Sequence, residues 1–338
     1  MKILFICKKR IIGYGVSTGL YNSATFVSNA LNYVGVESKV VSAVDNNSID
    51  KEVHDYDPDL VVIEAFWVVP SKFEILCSLY PDVQWVVRSH SKIPFFANEG
   101  IAMKWTWGYK EIANKYSNFH ISFNDRETSR CLCRIFKEKI IYLPNIYYPC
   151  EYDLKASPGK NYDHIHIGCF GAIRPLKNNL IQAIAAIQFV NNIKKKLFFH
   201  INGTRLEQDG GSVLKNLEHL FSDVDHELVE HTWMHHEGFI DVVRTMDIGM
   251  QVSLSESFNI VSADFIANWV PMVVSPDISW VSVFSQADPN RVKSIVKALH
   301  RVRLLRYFGL NGLNRYYLEK HNRKSVRKWM RFLIGFEK

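Results

Sequence analysis

Short, almost continuously apolar segments of strand length alternate along the whole chain with segments whose apolar residues recur at helical spacing. Lys2–Cys7, Asp59–Phe66 and Gln84–His90 are typical of strands, and Leu20–Val34 is typical of a helix. Strands that are apolar throughout are buried on both faces, which is typical of a parallel sheet covered by helices. The alternation resumes after residue 164, so the sequence predicts an α/β protein with two Rossmann-like, doubly wound parallel-sheet domains.

Composition shifts between these two halves. Residues 151–163 are polar and contain Pro158-Gly159, which predicts a linker. We therefore expect an N-terminal domain over residues 1–150 and a C-terminal domain over 164–290. Residues 291–338 read as basic helices, and we expect them to pack back on the N-terminal domain.

The overall composition is that of a soluble globular protein, with 47% hydrophobic and 22% charged residues. No apolar run of 18 residues predicts a transmembrane helix, and the N-terminus lacks the features of a signal peptide. The six cysteines have neither CxxC nor zinc-finger spacing, which favours reduced thiols in the cytoplasm. His231, His235 and His236 are close in sequence, but we interpret them as loop or helix-start residues rather than metal ligands.

The net charge of +7 is unevenly distributed. Residues 291–338 contain 14 Lys and Arg against two acidic residues, so the rest of the chain is net acidic. Such a segment meets nucleic acid, a membrane surface or the acidic remainder of the protein, or it forms a solvated basic face. These alternatives stay open.

Two acidic residues, Glu256 and Asp264, stand eight positions apart between two predicted strands. A helix that starts near Ser257 would place Glu256 just before its N-terminus and Asp264 about two turns into it, on the same face. Two carboxylates directed at one cleft can accept several hydroxyl hydrogen bonds, which suits a polyol ligand. The alternative is an acid at a helix N-terminus together with a solvated aspartate.

Two strand-to-helix corners carry further binding signals. Gly13, Gly15 and Gly19 form a glycine-rich loop where backbone N–H groups can approach an anion, although the spacing is not GxGxxG. The second corner follows Gly171 and contains Arg174 and Lys177, which can neutralise a diphosphate. A surface turn with two basic residues is the alternative. No nucleophile elbow, zinc-protease motif or P-loop is present.

Taken together, these motifs resemble the GT-B glycosyltransferases, specifically the retaining GT4-like group, and an enzyme of viral or phage type is one option. Glu256 and Asp264 stand where that family has its Glu-x7-Glu motif, and a proline-led strand follows at Pro271. Pro144-Asn145 and His90 also match family positions. The sequence departs from the family in having Asp264 instead of Glu, a close spacing of Arg174 and Lys177, and Asn268-Trp269 before the proline.

The resemblance implies a GT-B fold with a cleft between the two domains. It also implies a retaining transferase that moves a sugar from a nucleoside-diphosphate sugar, UDP-linked, to a hydroxyl acceptor without a metal. No tightly bound cofactor is expected, and no metal ligands are assigned. The catalytic residues implied are Glu256, His90, Arg174 and Lys177. The donor-binding residues implied are Gly13, Gly15, Gly171, Arg174, Lys177, Asn202, Gly203, Glu256, Ser257, Phe258, Asn259 and Asp264.

The acceptor is expected to meet the first domain, where residues 93–110 are rich in aromatic side chains. We assign acceptor binding to Arg88, Trp105, Trp107 and Tyr109. A core helix with buried tryptophan is the alternative.

Several functional alternatives stay open. The acceptor is a glycan or lipid-linked glycan, or it is DNA with a hydroxymethylated base that is flipped before transfer and bound through the basic C-terminus. A sugar-nucleotide epimerase and a non-catalytic binding module share the layout. We expect a cytoplasmic protein, in the host cytoplasm if it is viral, with a peripheral membrane association as a further option. The sequence leaves the sugar, the acceptor and the oligomeric state open.

Overall fold

The computed structural model describes residues 1–9, 18–149, 163–232 and 234–336. The chain divides into two compact units. Met1–Cys150 and His321–Lys338 form the first unit, and Glu151–Lys320 form the second. The linker predicted at 151–163 falls almost wholly outside the described residues.

The first unit is built on a parallel sheet, six-stranded in the described residues, in the order β2-β1-β3-β4-β5-β6. Its strands are β1 (Lys2–Lys8), β2 (Glu37–Ala43), β3 (Leu60–Glu64), β4 (Gln84–Ser89), β5 (Phe119–Phe123) and β6 (Ile140–Tyr142). Its helices are α1 (Thr18–Tyr33), α2 (Ser48–Tyr56), α3 (Pro70–Leu79), α4 (Ile93–Phe96), α5 (Ala102–Lys115) and α6 (Arg126–Phe136).

Burial in this sheet follows the sequence pattern. Every residue of β3, which is apolar up to its final glutamate, is buried, whereas the edge strand β2 alternates between exposed and partly buried residues. Two apolar clusters contain alternate residues of the strands, so helices cover both faces. The end of the chain contributes to one of these clusters through Trp329, which is fully buried and donates its indole N–H to the Pro144 carbonyl at 2.9 Å.

The second unit has a parallel sheet, five-stranded in the part that the structure describes, in the order β11-β10-β7-β8-β9. Its strands are β7 (His164–Gly168), β8 (Lys196–Ile201), β9 (Glu227–Glu230), β10 (Ile248–Gln251) and β11 (Met272–Val274). Its helices are α7 (Asn179–Asn192), α8 (Gly210–Ser222), α9 (His236–Arg244), α10 (Ile260–Ala267) and α11 (Val292–Leu305), and α12 (Leu310–Ile334) passes from this unit into the first.

Both sheets confirm the predicted fold class of two doubly wound α/β units. Strand order reverses between β1 and β3 in the first sheet and between β7 and β10 in the second. Ligands of open α/β sheets bind beyond the carboxyl ends of the strands at such a switch point. The residues that follow β1 and β3, and those that follow β7 and β10, are therefore the first places to look for chemistry.

One predicted boundary is wrong in a way that affects the site. The helix expected from about Ser257 begins at Ile260, because Asn259 adopts a left-handed backbone with φ of 67° and caps the helix from outside. Its side-chain oxygen accepts a hydrogen bond from the Ser262 N–H at 2.7 Å. Asp264 consequently lies little more than one turn into α10, not two, and Glu256 lies in a loop well before it.

Candidate functional site

A buried ion pair lies at the switch point of the second unit. Lys177 ends a 3-10 helix (Pro175–Lys177) after β7, and its ammonium group pairs with the Glu256 carboxylate in the loop after β10. The side chains are only 12% and 8% exposed. The loops that carry them are joined by a hydrogen bond of 2.9 Å from the Leu254 N–H to the Leu176 carbonyl. The sequence prediction that both residues belong to one site agrees with this contact.

Burial and mutual attraction act in opposite directions on this pair. Burial lowers the pKa of Lys177, and the Glu256 carboxylate only partly opposes that effect. Burial alone would raise the pKa of Glu256, but Lys177 and Arg174 hold it below its ordinary value. The carboxylate is therefore charged at neutral pH and is balanced by cations, not by water.

A second charged group lies beside the first. Arg174 donates to Glu207 at 2.8 Å, and Arg205 donates to the other oxygen of the same carboxylate at 2.7 Å. Both arginines also lower the pKa of Lys177 through their charge. Three cations thus lie among three carboxylates at this edge of the sheet, because Asp277 also belongs to the cluster and accepts a hydrogen bond from the Glu256 N–H at 3.0 Å.

Sequence reasoning missed Arg205 and Glu207. The signal was available in principle, because Arg205 follows the Asn202-Gly203 pair at the end of β8, the strand beside β7. Carboxyl ends of neighbouring parallel strands meet at one edge, so a cation after β8 falls near cations after β7.

Asp264 has a different partner from Glu256. It is 1% exposed on α10, and its carboxylate lies 2.8 Å from Nε2 of His236, the first residue of α9. Burial lowers the pKa of His236, but the hydrogen bond and charge of Asp264, together with Glu237, raise it above its ordinary value. His236 does start a helix, as expected, but its pairing with Asp264 was not anticipated.

The glycines after β7 and β8 have different structural reasons. Gly171 has a φ of 111°, and its N–H donates to the Asn202 side chain at 2.7 Å, which ties the two loops together. A Cβ at Gly203 would lie 1.9 Å from a carboxylate oxygen of Glu230, so a larger residue there would require the Glu230 side chain to move. Gly171, Asn202 and Gly203 therefore shape the floor beside Lys177.

Two predicted donor-binding side chains are engaged by the protein itself. Phe258 is buried and stacks on Trp280 with ring centroids 5.4 Å apart, and Asn259 donates to the Gln251 side chain at 2.7 Å. They build the loop that carries Glu256 and do not present their side chains to a ligand. Ser257, between the loop acid and these residues, is half-buried.

A second buried network lies at the carboxyl ends of the first sheet. Arg88 at the end of β4 and Glu64 at the end of β3 are both fully buried, and Arg88 Nη1 lies 3.0 Å from each carboxylate oxygen. Arg88 also donates to the Leu143 carbonyl at 3.0 Å and to the Asn145 side chain. These contacts correct the prediction that Arg88 meets an acceptor, because its guanidinium is occupied within the protein.

His90 is held by the same network. Its Nε2 pairs with Glu64, and its Nδ1 lies 3.2 Å from the Asn124 side-chain amide. Nε2 also lies 3.3 Å from the Arg88 guanidinium, so both ring nitrogens of His90 have partners within the protein. Burial lowers the pKa of His90, although the Glu64 carboxylate opposes that effect. The contacts at its ring nitrogens hold the imidazole in one orientation, with a slightly exposed edge.

The aromatic residues assigned to the acceptor separate into two groups. Tyr109 is fully buried and donates its hydroxyl to the Val68 carbonyl at 2.6 Å, which corrects its assignment to acceptor binding. Trp105 is half-buried and packs against the core. Trp107 is 45% exposed, with its ring against Phe136. Of this set, only Trp107 presents a large surface to solvent.

Some of the residues predicted to bind a ligand lie outside the residues that the structure describes. Gly13 and Gly15 lie outside the described residues, and Gly19 lies in the first turn of α1. Within the described ranges there is no cluster of three His, Cys, Asp or Glu residues that could hold a metal ion. None of the described helices has the length and apolar character to span a bilayer.

No protein-family model and no curated protein matches this sequence. Solved structures do match it. A UDP-forming α,α-trehalose-phosphate synthase from Burkholderia xenovorans in complex with glucose-6-phosphate aligns with a TM-score of 0.70 and 12% identity, over 99% of this chain and 100% of that chain. The Escherichia coli trehalose-6-phosphate structure bound with UDP-2-fluoro glucose aligns with a TM-score of 0.66 and 10% identity, over 99% and 98%.

A glycosyltransferase from Rickettsia africae aligns with a TM-score of 0.64 and 10% identity, over 99% of this chain and 98% of that chain. At such low identity the likeness is one of fold, and it extends over nearly the full length of each chain. The chain therefore has the fold of the GT-B glycosyltransferases, with two parallel-sheet α/β units in series.

Proposed function

We propose that this protein is a glycosyltransferase that moves a sugar from a UDP-sugar to a hydroxyl acceptor. One observation carries the proposal: the buried Lys177–Glu256 pair, with Arg174 and Arg205 beside it, lies at the switch point of the second sheet. Similar structures contain UDP-2-fluoro glucose or glucose-6-phosphate. The fold and the charge arrangement agree on the same chemistry.

The clustered cations suit the leaving group. When the glycosidic bond to UDP breaks, negative charge grows on the diphosphate, and pre-positioned cations stabilise that charge without reorganising. Lys177 and Arg174 are the groups we assign to this role. The arrangement leads us to propose that transfer needs no metal ion, with these cations supplying the positive charge.

The carboxylates suit the hydroxyl groups of the donor. Glu256 would exchange part of its contact with Lys177 for hydrogen bonds from the transferred sugar, and Asp264, oriented by His236, would accept from the ribose hydroxyls. We propose retention of anomeric configuration, with the leaving phosphate accepting the acceptor's proton, so no side chain is named as a nucleophile. His90 is proposed to contact the sugar through the exposed edge of its ring.

For the acceptor we propose a hydroxyl of a glycan or a lipid-linked glycan. Glucose-6-phosphate in the Burkholderia complex supports a sugar acceptor in a protein of this fold. Of the four residues assigned to acceptor binding, Arg88 and Tyr109 are buried, and Trp107 is the one whose aromatic side chain is largely exposed. Duplex DNA as the acceptor would require binding that weakens steeply with salt.

The five described cysteines, Cys7, Cys77, Cys131, Cys133 and Cys169, are free thiols. Free buried thiols persist in a reducing compartment, and this supports the proposal of a cytoplasmic location.

Calorimetric titration with UDP-glucose, UDP-N-acetylglucosamine and GDP-mannose, with and without EDTA, tests the donor site. We expect one UDP-sugar to bind, with affinity unaffected by EDTA and lost in Lys177→Met. Lys215→Met is the matched control, because Lys215 is an exposed cation on α8. If no nucleotide sugar bound, or if Lys177→Met bound as well as Lys215→Met, the donor site would be wrongly assigned.

A further inference from the structure

A second surface of the Glu151–Lys320 unit combines cations with large exposed apolar side chains. It is formed by the 3-10 helix Val283–Ser285, the outer face of α11 and the 3-10 helix Arg306–Phe308 that follows α11. We call it the α11 surface. None of the residues assigned to sugar transfer belongs to it.

Apolar exposure on the α11 surface is high. Its five large apolar side chains are at least half exposed: Val283 at 70%, Phe284 at 51%, Leu304 at 60%, Tyr307 at 65% and Phe308 at 74%. Single exposed apolar side chains are ordinary on soluble proteins, whereas a group of them marks a surface that meets another apolar phase.

Hydrogen bonds hold these side chains in one region. Arg301 on α11 donates to the Phe284 carbonyl at 2.6 Å, and Leu304 lies three residues further along the same helix face. The short helix that carries Phe284 is also fixed from the other side, where Asn314 of α12 donates to the Ser285 hydroxyl at 2.9 Å. These hydrogen bonds therefore hold the α11 surface in a defined conformation.

The corner at Tyr307 and Phe308 is also defined. Gly309 has a φ of 86°, which ends the helical path and lets α12 start in a new direction. The Arg306 guanidinium lies 4.7 Å from the centre of the Tyr307 ring and donates to its hydroxyl at 2.5 Å. The Tyr307 ring is thus held beside a cation, and Phe308 follows it at the same corner of the chain.

Cations far outnumber anions around the apolar side chains. Between Val283 and Leu318 the sequence has seven Lys and Arg residues and one acidic residue, Asp288. Lys293 and Lys297 are exposed on α11 and share the helix face of Arg301 and Leu304, because these positions are three, four and eight residues apart. A partner must therefore supply both an apolar phase and negative charge.

This combination decides between partners. A second copy of this chain, docked face to face, would bring the same cations together. Nucleic acid would satisfy the cations, but Val283 and Leu304 can neither stack on bases nor hydrogen-bond to them. A bilayer with anionic headgroups satisfies both, since aliphatic and aromatic side chains enter the headgroup–acyl boundary while lysine and arginine meet phosphate.

We propose that the α11 surface binds peripherally to an anionic phospholipid membrane, with the apolar side chains inserted at the boundary and Lys293 and Lys297 on the headgroups. This inference does not depend on the proposed sugar transfer. It does give a lipid-linked acceptor a reason to be near the enzyme.

Vesicle flotation with the full-length protein tests the proposal. We expect binding to vesicles of phosphatidylcholine mixed with phosphatidylglycerol, weaker binding at high salt, and little binding to pure phosphatidylcholine. Leu304→Ser combined with Phe308→Ser should lower the partition coefficient by about tenfold or more. Neutralising Lys293 and Lys297 to Gln should lower it by about fivefold for each lysine.

The matched control is Ile135→Ser, because Ile135 is 58% exposed on α6 in the other unit. All of these substitutions are at exposed side chains, and circular dichroism and the melting temperature confirm that each variant is folded. A mobility-shift assay with duplex DNA is run on the same proteins.

Three results would overturn the proposal: no binding of the wild-type protein to mixed vesicles, equal binding by the Leu304/Phe308 and Ile135 variants, or binding to DNA with none to vesicles. UDP-sugar titration of the Leu304/Phe308 variant separates the two proposals. Membrane binding can fail while donor binding persists, and donor binding can fail while membrane binding persists.

Discussion

Burying the charge of Lys177 or of Glu256 alone would lower the free energy of unfolding, and each charge is tolerated because the other balances it. Removing one partner of a buried ion pair leaves an uncompensated charge, whereas removing both leaves none. Stability and function can therefore be tested separately, because removing both charges should restore stability, whereas donor binding requires the charges.

We therefore predict that Lys177→Met lowers the free energy of unfolding by about 3–5 kcal/mol. The double variant Lys177→Met/Glu256→Gln should recover most of that loss and still bind no UDP-sugar. Urea unfolding and calorimetric titration measure the two quantities on the same samples. A double variant with wild-type donor affinity would show that the pair is only structural.

The Glu64–Arg88–His90 network predicts a similar cost in the first unit. Burial alone would raise the pKa of Glu64, but Arg88 and His90 hold it below its ordinary value. A carboxyl group with a depressed folded pKa stabilises the protein above its unfolded pKa, and that stability is lost as pH falls through the folded value.

Glu64→Gln should accordingly lower the free energy of unfolding at pH 7 by about 3–5 kcal/mol and reduce its loss in acid. Glu111→Gln, on the neighbouring α5 surface, is the matched control and should change neither quantity. Equal stabilities of the two variants at pH 7 would contradict the assignment of a charged, buried Glu64.

At the scale of elements, a chain of three histidines crosses the second sheet. Nδ1 of His166 on β7 lies 2.9 Å from Nε2 of His200 on β8, and Nδ1 of His200 lies 2.8 Å from Nε2 of His231 after β9. Burial, helped by the two neighbouring imidazoles, lowers the pKa of His200 to about 3. Alternating donors and acceptors satisfy the chain when all three rings are neutral.

This chain makes stability depend on pH in a stated direction. Between the ordinary histidine pKa of about 6.5 and the folded value, the unfolded state binds a proton that folded His200 does not. The free energy of unfolding should fall as pH falls through that window, with His200 contributing up to about 1.4 kcal/mol per pH unit. His200→Gln should flatten the slope, and the exposed His54→Gln should not, when urea unfolding is followed from pH 7 to pH 4. Equal slopes would contradict the prediction.

The contact between β10 and α10 depends on a missing side chain. A Cβ at Gly249 would lie 2.0 Å from the Met272 sulfur and 2.4 Å from a Phe265 ring carbon. Gly249→Ala should therefore destabilise the protein by about 1–3 kcal/mol and displace α10, which carries Asp264. Gly211→Ala, where no atom lies within 4 Å of an added Cβ, should be neutral or slightly stabilising. Thermal unfolding of the two variants checks this, and equal losses would contradict it.

Elements were predictable where the signal is local, and less so where it is tertiary. The strands predicted from the apolar runs Lys2–Cys7 and Gln84–His90, and the helix predicted over Leu20–Val34, are confirmed as β1, β4 and α1. The start of α10 was not predictable, because Ser257 and Asn259 are both ordinary helix caps. In the structure Asn259 is the cap, and the preceding Phe258 packs on Trp280. Partners such as His236 of Asp264 lie 28 residues away in sequence, and no local pattern encodes them.

The departure at Trp269 has a local explanation as well. Its φ of 62° lies in the left-handed region that favours glycine. Its ring lies 5.0 Å from the Arg315 guanidinium, and its carbonyl accepts from the Asn311 side chain at 2.5 Å. Contacts with α12 thus hold a tryptophan in a backbone conformation that the sequence pattern alone assigns to glycine.

At the scale of the whole molecule, the alternation of apolar strands and helices was enough to predict two parallel-sheet units, and both sheets confirm it. Strand order then places Lys177 and Glu256 at one switch point and Glu64 at the other, with His90 after the neighbouring strand β4. What the sequence could not supply is which cations share a carboxylate, since Arg174 and Arg205 meet only through Glu207.

Product analysis with a radiolabelled UDP-sugar tests the central proposal most directly. We predict that label leaves the nucleotide and appears on an acceptor sugar or lipid-linked sugar, with release of UDP. The Lys215→Met control should retain this transfer, and Lys177→Met should lose it. Label that stayed on the nucleotide, either as an epimer or unchanged, while the protein bound the UDP-sugar, would contradict the proposed transfer.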